Sequence, residues 1–241
     1  MKNTTAILFS AAIVIASFVL GKFYMDSRRP EGTISVTGMG TKDFTADLIV
    51  WSGRFTRENK DLQQAYASLE KDKQVTREYL KSKGIPDGQI VFSAVETIEK
   101  TRPLYNNGEY VGAEFEAYQL VQSIQIESKN VESIEALSRS ITELMNKGVT
   151  FYSDAPRYYY TGLASLKIEM IAKATEDGFV RAQNIAQNSG GDLGELRSAK
   201  MGVFQITGQN STEEYSWGGA YNTSDKQKTA SITMRLDYAT D

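Results

Sequence analysis

The pattern of hydrophobic and polar positions begins with an apolar segment at the N-terminus. Lys2 and Lys22 enclose a run, from Asn3 to Gly21, that contains no charged side chain. A helix that crosses the hydrocarbon layer needs about 20 mostly apolar residues, and flanking lysines can extend to the headgroups. We therefore expect residues 1–25 to be a membrane anchor, with residues 4–21 in contact with the lipid bilayer.

A cleaved signal peptide is the alternative for this segment. The nearest cleavage site of the small-x-small type, Val19-Leu20-Gly21, is a mediocre match, which favours a retained anchor. Residues 26–32 read as a polar linker to a domain over 33–241. We expect a single-pass anchor followed by a domain that folds outside the cytoplasm. Charge alone does not fix the orientation, because basic residues flank both ends of the segment.

Beyond the linker, helical and strand-like patterns alternate. Apolar residues at helical spacing predict helices over 61–83, 131–147 and 163–188. Segments rich in β-formers, or alternating in polarity, predict strands over 33–39, 44–57, 89–98, 115–127, 149–153, 193–206 and 229–238. In the last strand, apolar Ile232, Met234, Leu236 and Tyr238 alternate with polar residues, as in an antiparallel sheet with one solvated face.

The order of these elements predicts an α+β fold. We expect an antiparallel sheet with helices packed on one face and two strand-helix-strand-strand halves, 44–127 and 149–238. The helix over 131–147 would join the halves. Gly38-Met39-Gly40 lacks the third glycine and the following helix of a phosphate-binding loop, so we interpret it as a tight turn between strands.

Each half would join its last two strands by a long loop, 99–114 or 207–228, and loops of this length often carry function. Aromatic residues and an arginine, types enriched at binding hot spots, lie in these loops and before the long helix. Covering the sheet edge of their own domain is the alternative role for these side chains. The candidate interface residues are Tyr105, Tyr110, Arg157, Tyr158, Tyr159, Tyr160, Tyr215, Trp217 and Tyr221.

Composition excludes several kinds of chemistry. The chain has no Cys and no His, so disulfides, thiol nucleophiles, Ser-His or Cys-His catalysis and the common zinc sites are absent. A net charge of -3 without a basic cluster argues against nucleic acid as a partner. We predict no catalytic, cofactor-binding or metal-binding residues and no identifiable small-molecule ligand. We interpret Glu213, Glu214 and Asp225 as solvated charges, and Asp177 as bonded to a nearby backbone group or Arg.

Several stretches resemble the SIMPL (DUF541) domain family, which includes periplasmic immunogenic proteins of bacteria. The opening Ile34-Ser35-Val36-Thr37-Gly38-Met39-Gly40 is similar, as is a helical stretch with Ala174, Asp177, Arg181, Ala182 and Gly190, and the likeness covers about residues 33–240. Ala46, Gly178 and Phe115 depart from the family pattern. The resemblance implies an α+β fold, ring- or channel-like oligomers and links to stress defence, with no catalytic residues. It also implies a cell-envelope location, which we expect to be a single-pass inner-membrane anchor with the domain in the periplasm. The alternative, after cleavage of the segment, is a soluble periplasmic protein.

These observations lead to one function hypothesis and two alternatives. The first is a non-enzymatic, membrane-anchored envelope protein that self-associates into a homo-oligomer, linked to envelope or oxidative stress defence. The second is a periplasmic module that binds a small molecule or peptide. A hydrolase that uses carboxylates alone ranks last, because it needs two facing acids with separated pKa values and no pair in the sequence stands out.

Overall fold

The computed structural model describes residues 2–27, 32–214 and 216–240, with the side chains of the first helix described over 12–24. That helix, α1, spans Lys2–Ser27. In the described part of the chain, no helix has both the length and the apolarity needed to cross a membrane. Most of the predicted linker, residues 28–31, lies outside the described residues.

The chain divides into two compact units, each discontinuous in sequence. One comprises Met1–Gly40, Ile171–Gly202 and Thr233–Asp241, and the other comprises Thr41–Met170 and Val203–Ile232. These units do not follow the two predicted halves. The first half lies within the second unit, whereas the second half is divided between the two.

The second unit contains a six-stranded antiparallel sheet. Its strand order is β3-β5-β2-β6, with β4 also pairing with β5 and β7 with β2. The strands are β2 Leu48–Asn59, β3 Ile90–Phe92, β4 Glu96–Asn106, β5 Glu109–Ser128, β6 Phe151–Ser153 and β7 Arg157–Tyr159.

Helices α2, Leu62–Ser82, and α3, Val131–Ser140, pack against this sheet. Short 3-10 helices span Asp87–Gln89 and Ile141–Lys147. The Asp61 carboxylate caps α2 by accepting from the backbone N–H groups of Gln63 and Gln64. Buried apolar side chains from the sheet and the helices form one core, which includes Ile49, Trp51, Phe55, Leu69, Leu80, Ile126, Ile134 and Leu144.

A second sheet has the order β1-β10-β8, and β9 also pairs with β10. The strands are β1 Thr33–Thr45, β8 Leu193–Met201, β9 Gln205–Gly208 and β10 Gln227–Thr240, and the long helix α4 spans Leu163–Asn188. The α+β class and the predicted α4 are confirmed, although the strands form two sheets rather than one. The alternation in β10 is confirmed over residues 232–238, where Ile232, Met234, Leu236 and Tyr238 are buried, but Ser231, on the polar side of the pattern, is buried as well.

The interpretation of Gly38-Met39-Gly40 as a turn is wrong, because β1 continues through it to Thr45. A side chain at Gly38 would collide with α4. Its Cβ would lie 2.0 Å from the Ala174 carbonyl oxygen and 2.4 Å from the Gly178 nitrogen. Strand and helix backbones thus touch at two glycines. The break between β1 and β2 comes instead at Ala46 and Asp47.

Asp177 bonds both a backbone group and an arginine, as the sequence predicts. Its Oδ2 accepts from the Met39 N–H at 2.8 Å and from Arg181 Nε at 2.9 Å. The Met39 N–H, and then the guanidinium, lower the pKa of the Asp177 carboxyl. Asp177 therefore ties α4 to β1 next to the paired glycines.

The predicted long loop over 99–114 is also wrong, because this segment is a β-hairpin. Strand β4 pairs with β5 along its whole length, from Glu96 opposite Val121 to Asn106 opposite Glu109. Asn107 and Gly108, at φ +50° and +87°, form the two-residue turn between them, where both central residues need positive φ. The second predicted loop is real but shorter, residues 209–226, since β9 and β10 extend into its ends.

We predict that Gly38→Ala lowers the free energy of unfolding by about 2 kcal/mol or more, because the new methyl group must displace backbone atoms of α4. Urea unfolding of the full chain in detergent, followed by far-UV circular dichroism, measures the change. Gly88→Ala is the matched control, since no atom lies within 4 Å of its added Cβ. Equal stability of the two variants would contradict the proposed close contact.

Candidate functional site

Residues 101–117 form a two-stranded ribbon, which we call the β-arm. Strand β5 pairs with β2 only from Tyr118 onward, where Tyr118 lies opposite Asn59. Before Tyr118, its described strand partner is β4 alone. Every β-arm residue is exposed except Gly112 and Ala117, which are half-buried. The β-arm therefore has both faces open to solvent and no helix or second sheet over it among the described residues.

Two predicted interface residues meet near the tip of the β-arm. Tyr105 and Tyr110 lie directly opposite each other across the strands, with ring centroids 6.0 Å apart in an edge-to-face arrangement. Their exposed fractions are 64% and 62%. Three further apolar residues of the β-arm, which sequence reasoning missed, are also exposed: Leu104, Val111 and Phe115.

The β-arm carries bulges and charges as well as apolar groups. The register shifts twice, which leaves Glu116 and Val111 as extra residues on β5. Arg102 Nη2 lies 3.0 Å from Glu114 Oε2 across the strands. At the base, Lys100 Nζ contacts Glu58 Oε1 of β2 at 3.0 Å. Bulges increase the local twist of a ribbon, and the two ion pairs place charge beside the apolar groups.

Arg157, Tyr158, Tyr159 and Tyr160 do not join the β-arm. The Tyr158 ring packs on the core and its hydroxyl donates to Glu135 Oε1 at 2.8 Å. Burial, together with this hydrogen bond, raises the pKa of Tyr158 to about 12. The Tyr160 ring lies 4.8 Å from that of Phe44. These two tyrosines therefore contact their own unit, whereas Arg157 is exposed and Tyr159 half-exposed.

The loop over 209–226 carries the remaining predicted residues. Trp217 is 99% exposed and Tyr221 is 44% exposed. Tyr221 forms an isolated bridge to Ile206, and its ring centroid lies 6.3 Å from that of Tyr159. Tyr215 lies outside the described residues. The loop thus presents one fully exposed indole and connects to β7 through an aromatic contact.

A polar cluster of Glu213, Asn222, Asp225 and Lys228, which we call the clasp, joins this loop to β10. Asn222 and Lys228 are buried, whereas Glu213 and Asp225 are exposed. Lys228 is 1% exposed, and its Nζ donates to the Asn222 carbonyl oxygen at 2.5 Å and to Asn222 Oδ1 at 3.2 Å. Asn222 Nδ2 donates to Glu213 Oε1 at 2.6 Å and to Asp225 Oδ2 at 2.9 Å. Glu213 and Asp225 are exposed, as the sequence predicts, but each also accepts a hydrogen bond from Asn222.

Hydrogen bonds and burial shift the pKa values of the charged groups in the clasp. The Gly208 N–H, followed by the Asn222 amide, lowers the pKa of Glu213. Burial lowers the pKa of Lys228, and the Asp225 and Glu213 carboxylates oppose that effect. In the part of the chain that the structure describes, no group of three or more acidic residues is arranged to hold a metal ion. The Lys228 ammonium group supplies the positive charge at the centre of the clasp, where it donates to Asn222.

We predict that Lys228→Met opens the loop, because the two Asn222 acceptors lose their buried donor and the Glu213 and Asp225 carboxylates lose a nearby positive charge. Chymotrypsin should then cut the full chain at Trp217 several-fold faster than it cuts the wild type. Lys226→Met is the control, since Lys226 contacts Glu135 and lies outside the clasp. Unchanged cleavage in Lys228→Met would show that the clasp does not hold the loop.

Comparison with known families identifies the chain. The model of the SIMPL family, described as a protein of unknown function (DUF541), matches residues 34–237. The chain therefore belongs to the SIMPL family. No curated protein matches it. The match includes part of the first unit, the whole of the second unit and the whole β-arm.

Proposed function

We propose that this SIMPL protein is a non-enzymatic, membrane-anchored component of the cell envelope that self-associates through its β-arm. The observation that carries the proposal is the Tyr105–Tyr110 pair, exposed on a ribbon without a covering element in the described structure. A second copy of the chain is the proposed occupant of this surface.

The β-arm has the physical properties of an association element. Burying an aromatic side chain removes about 150–250 Å² from water, so two rings and their apolar neighbours provide a substantial driving force. The ribbon already fixes the backbone of both strands, which reduces the ordering entropy that association must overcome. Tyrosine loses only two side-chain torsions, and it is among the residues enriched at binding hot spots.

The proposed anchor strengthens this self-association. Every side chain described in α1, from residue 12 to 24, is exposed, including Ile13, Val14, Phe18, Leu20 and Phe23. A helix that is apolar all round is suited to lipid rather than to water. Tethering in one membrane plane raises the effective concentration of the subunits. Modest β-arm contacts would then be sufficient for assembly.

Chemistry by the chain itself has little support. His and Cys are absent, and the perturbed carboxylates, such as Asp177 and Glu213, are explained by hydrogen bonds within the fold. The family resemblance adds envelope or oxidative stress defence as the setting of the proposed assembly. It also suggests a ring- or channel-like form for the homo-oligomer.

We predict that shortening the β-arm weakens self-association without unfolding the chain. Replacing residues 103–113 with Asn-Gly would join Arg102 to Glu114 by a two-residue turn, because these residues already lie opposite each other. Light scattering of the full chain in detergent should show a lower protein mass. The double variant Tyr105→Ser, Tyr110→Ser should act in the same direction.

The control for the tyrosine variants is Tyr66→Ser, which removes a ring that is 54% exposed on α2. It should leave the mass unchanged. Circular dichroism would check that all variants remain folded. If the wild type is monomeric at every concentration, with and without detergent, self-association is refuted; if both β-arm variants assemble normally, the β-arm is not its site.

We also predict that residues 1–25 remain on the mature protein. Membranes washed with alkaline carbonate should retain the chain, and mass measurement should include the N-terminal segment. Ile15→Lys with Val19→Lys should release it, since each charge near the helix centre costs about 2.5–3.5 kcal/mol on insertion, whereas Ser27→Lys should not. A soluble chain that begins near residue 22 would instead identify a cleaved signal peptide.

A further inference from the structure

A groove lies on the face of the six-stranded sheet opposite the core. Val50 and Ser52 of β2 line it, and they alternate with the core residues Ile49 and Trp51. The groove has a volume of about 820 Å³, which is in the range of small-molecule sites. All of its lining residues belong to the second unit.

An interruption in the strand ladder creates this groove. Strand β6 ends where Ser153 pairs with Gly53, and β7 begins where Arg157 pairs with Val50. Residues 154–156 therefore span a gap opposite only two residues of β2, and Pro156 has no N–H to donate to the ladder. Asp154 still donates its backbone N–H to the Ser52 carbonyl oxygen at 3.0 Å, so the interruption lies at Ala155 and Pro156, and the side chains beside it line the groove.

Among the described residues, Asp154 in the groove has a partner of opposite charge, whereas Arg157 has none. Asp154 Oδ2 accepts from the Ser52 hydroxyl at 3.1 Å, and Asp154 Oδ1 lies 3.7 Å from Arg54 Nη1. In contrast, no carboxylate of the described residues lies within 4 Å of the Arg157 guanidinium, although this side chain also lines the groove. The groove therefore presents a guanidinium whose charge is uncompensated, in a protein whose net charge is -3.

An apolar wall stands beside this charge. Tyr159 lines the groove together with Val50 and Pro156, and its ring is braced by Tyr221. Gln125 and Ser224 add an amide and a hydroxyl to the lining. A planar cation, neutral donors and an aromatic surface are the complement of a carboxylate attached to an apolar body.

We propose that the groove binds an organic carboxylate, with its oxygens on the Arg157 guanidinium and its apolar body against Tyr159. A guanidinium and a carboxylate form two parallel charge-assisted hydrogen bonds, which sets the orientation of the ligand. Two sources carry this chemistry: a free aromatic acid and the C-terminal residue of a peptide. This binding is separate from the proposed self-association, because the groove contains no β-arm residue.

Isothermal titration calorimetry on the full chain in detergent tests this proposal. The probes are phenylacetate, the tripeptide Ala-Ala-Phe with a free carboxylate, and the same tripeptide with an amidated C-terminus. At least one acid should bind and the amide should not. Arg157→Gln should weaken binding by about tenfold or more, because it removes the charge-assisted pair, whereas Arg235→Gln, which changes an arginine outside the groove, should leave it unchanged.

The arms of this experiment separate the sources. Binding of phenylacetate alone assigns a free acid, and binding of the acidic tripeptide alone assigns a peptide terminus. Phenylacetate should bind more weakly to Tyr159→Ala than to Tyr159→Phe, because the second variant keeps the aromatic ring. The proposal is overturned if neither acid binds, if the amide binds as tightly as the acid, or if Arg157→Gln binds normally. Light scattering of Arg157→Gln should match the wild type, so failure here leaves self-association untouched.

Discussion

The number of strands that pair with β5 determines where the core of the second unit ends. A β-strand can bond a neighbour on each side, and β5 has partners on both sides only beyond Tyr118. There its inward residues, such as Leu120, Ile124 and Ile126, are buried in the core. Before Tyr118 it has β4 alone, and its side chains are largely exposed. The end of β2 at Asn59 thus sets where the core stops and the β-arm begins.

The sequence predicted the elements whose patterns are produced by a single buried face. Helices α2 and α4 were located closely, because their apolar spacing and terminal signals agree. The β-arm was missed because both of its faces are solvated, so its strands carry no period-two alternation; only Asn107-Gly108 encodes the hairpin. The prediction of a turn at Gly38 was wrong for a different reason. Glycine permits a turn, but here it makes room for α4, a distant segment of the chain.

The candidate site was predictable in residue type but not in arrangement. Tyr105 and Tyr110 meet because of the hairpin register, which depends on the turn and on a bulge at Val111. Tyr158 has the same composition signal as Arg157, yet its ring packs on the core whereas Arg157 is exposed. Alternation along β7 decides this. The clasp around Lys228 could not be foreseen, since burial of a lysine depends on partners brought together by the folded loop.

The β-arm also limits how the proposed assembly can form. An open strand edge invites continuous addition of further strands, which would yield fibres rather than a closed oligomer. Pro103 removes one donor from β4, and the bulges at Val111 and Glu116 bend the ribbon. The Arg102–Glu114 pair adds charge beside the apolar groups. Because these features disfavour strand addition at the edge, we expect the exposed rings of Tyr105 and Tyr110 to make the contact between copies. Contacts through side chains have defined geometry and number, so they favour closed association in a membrane plane.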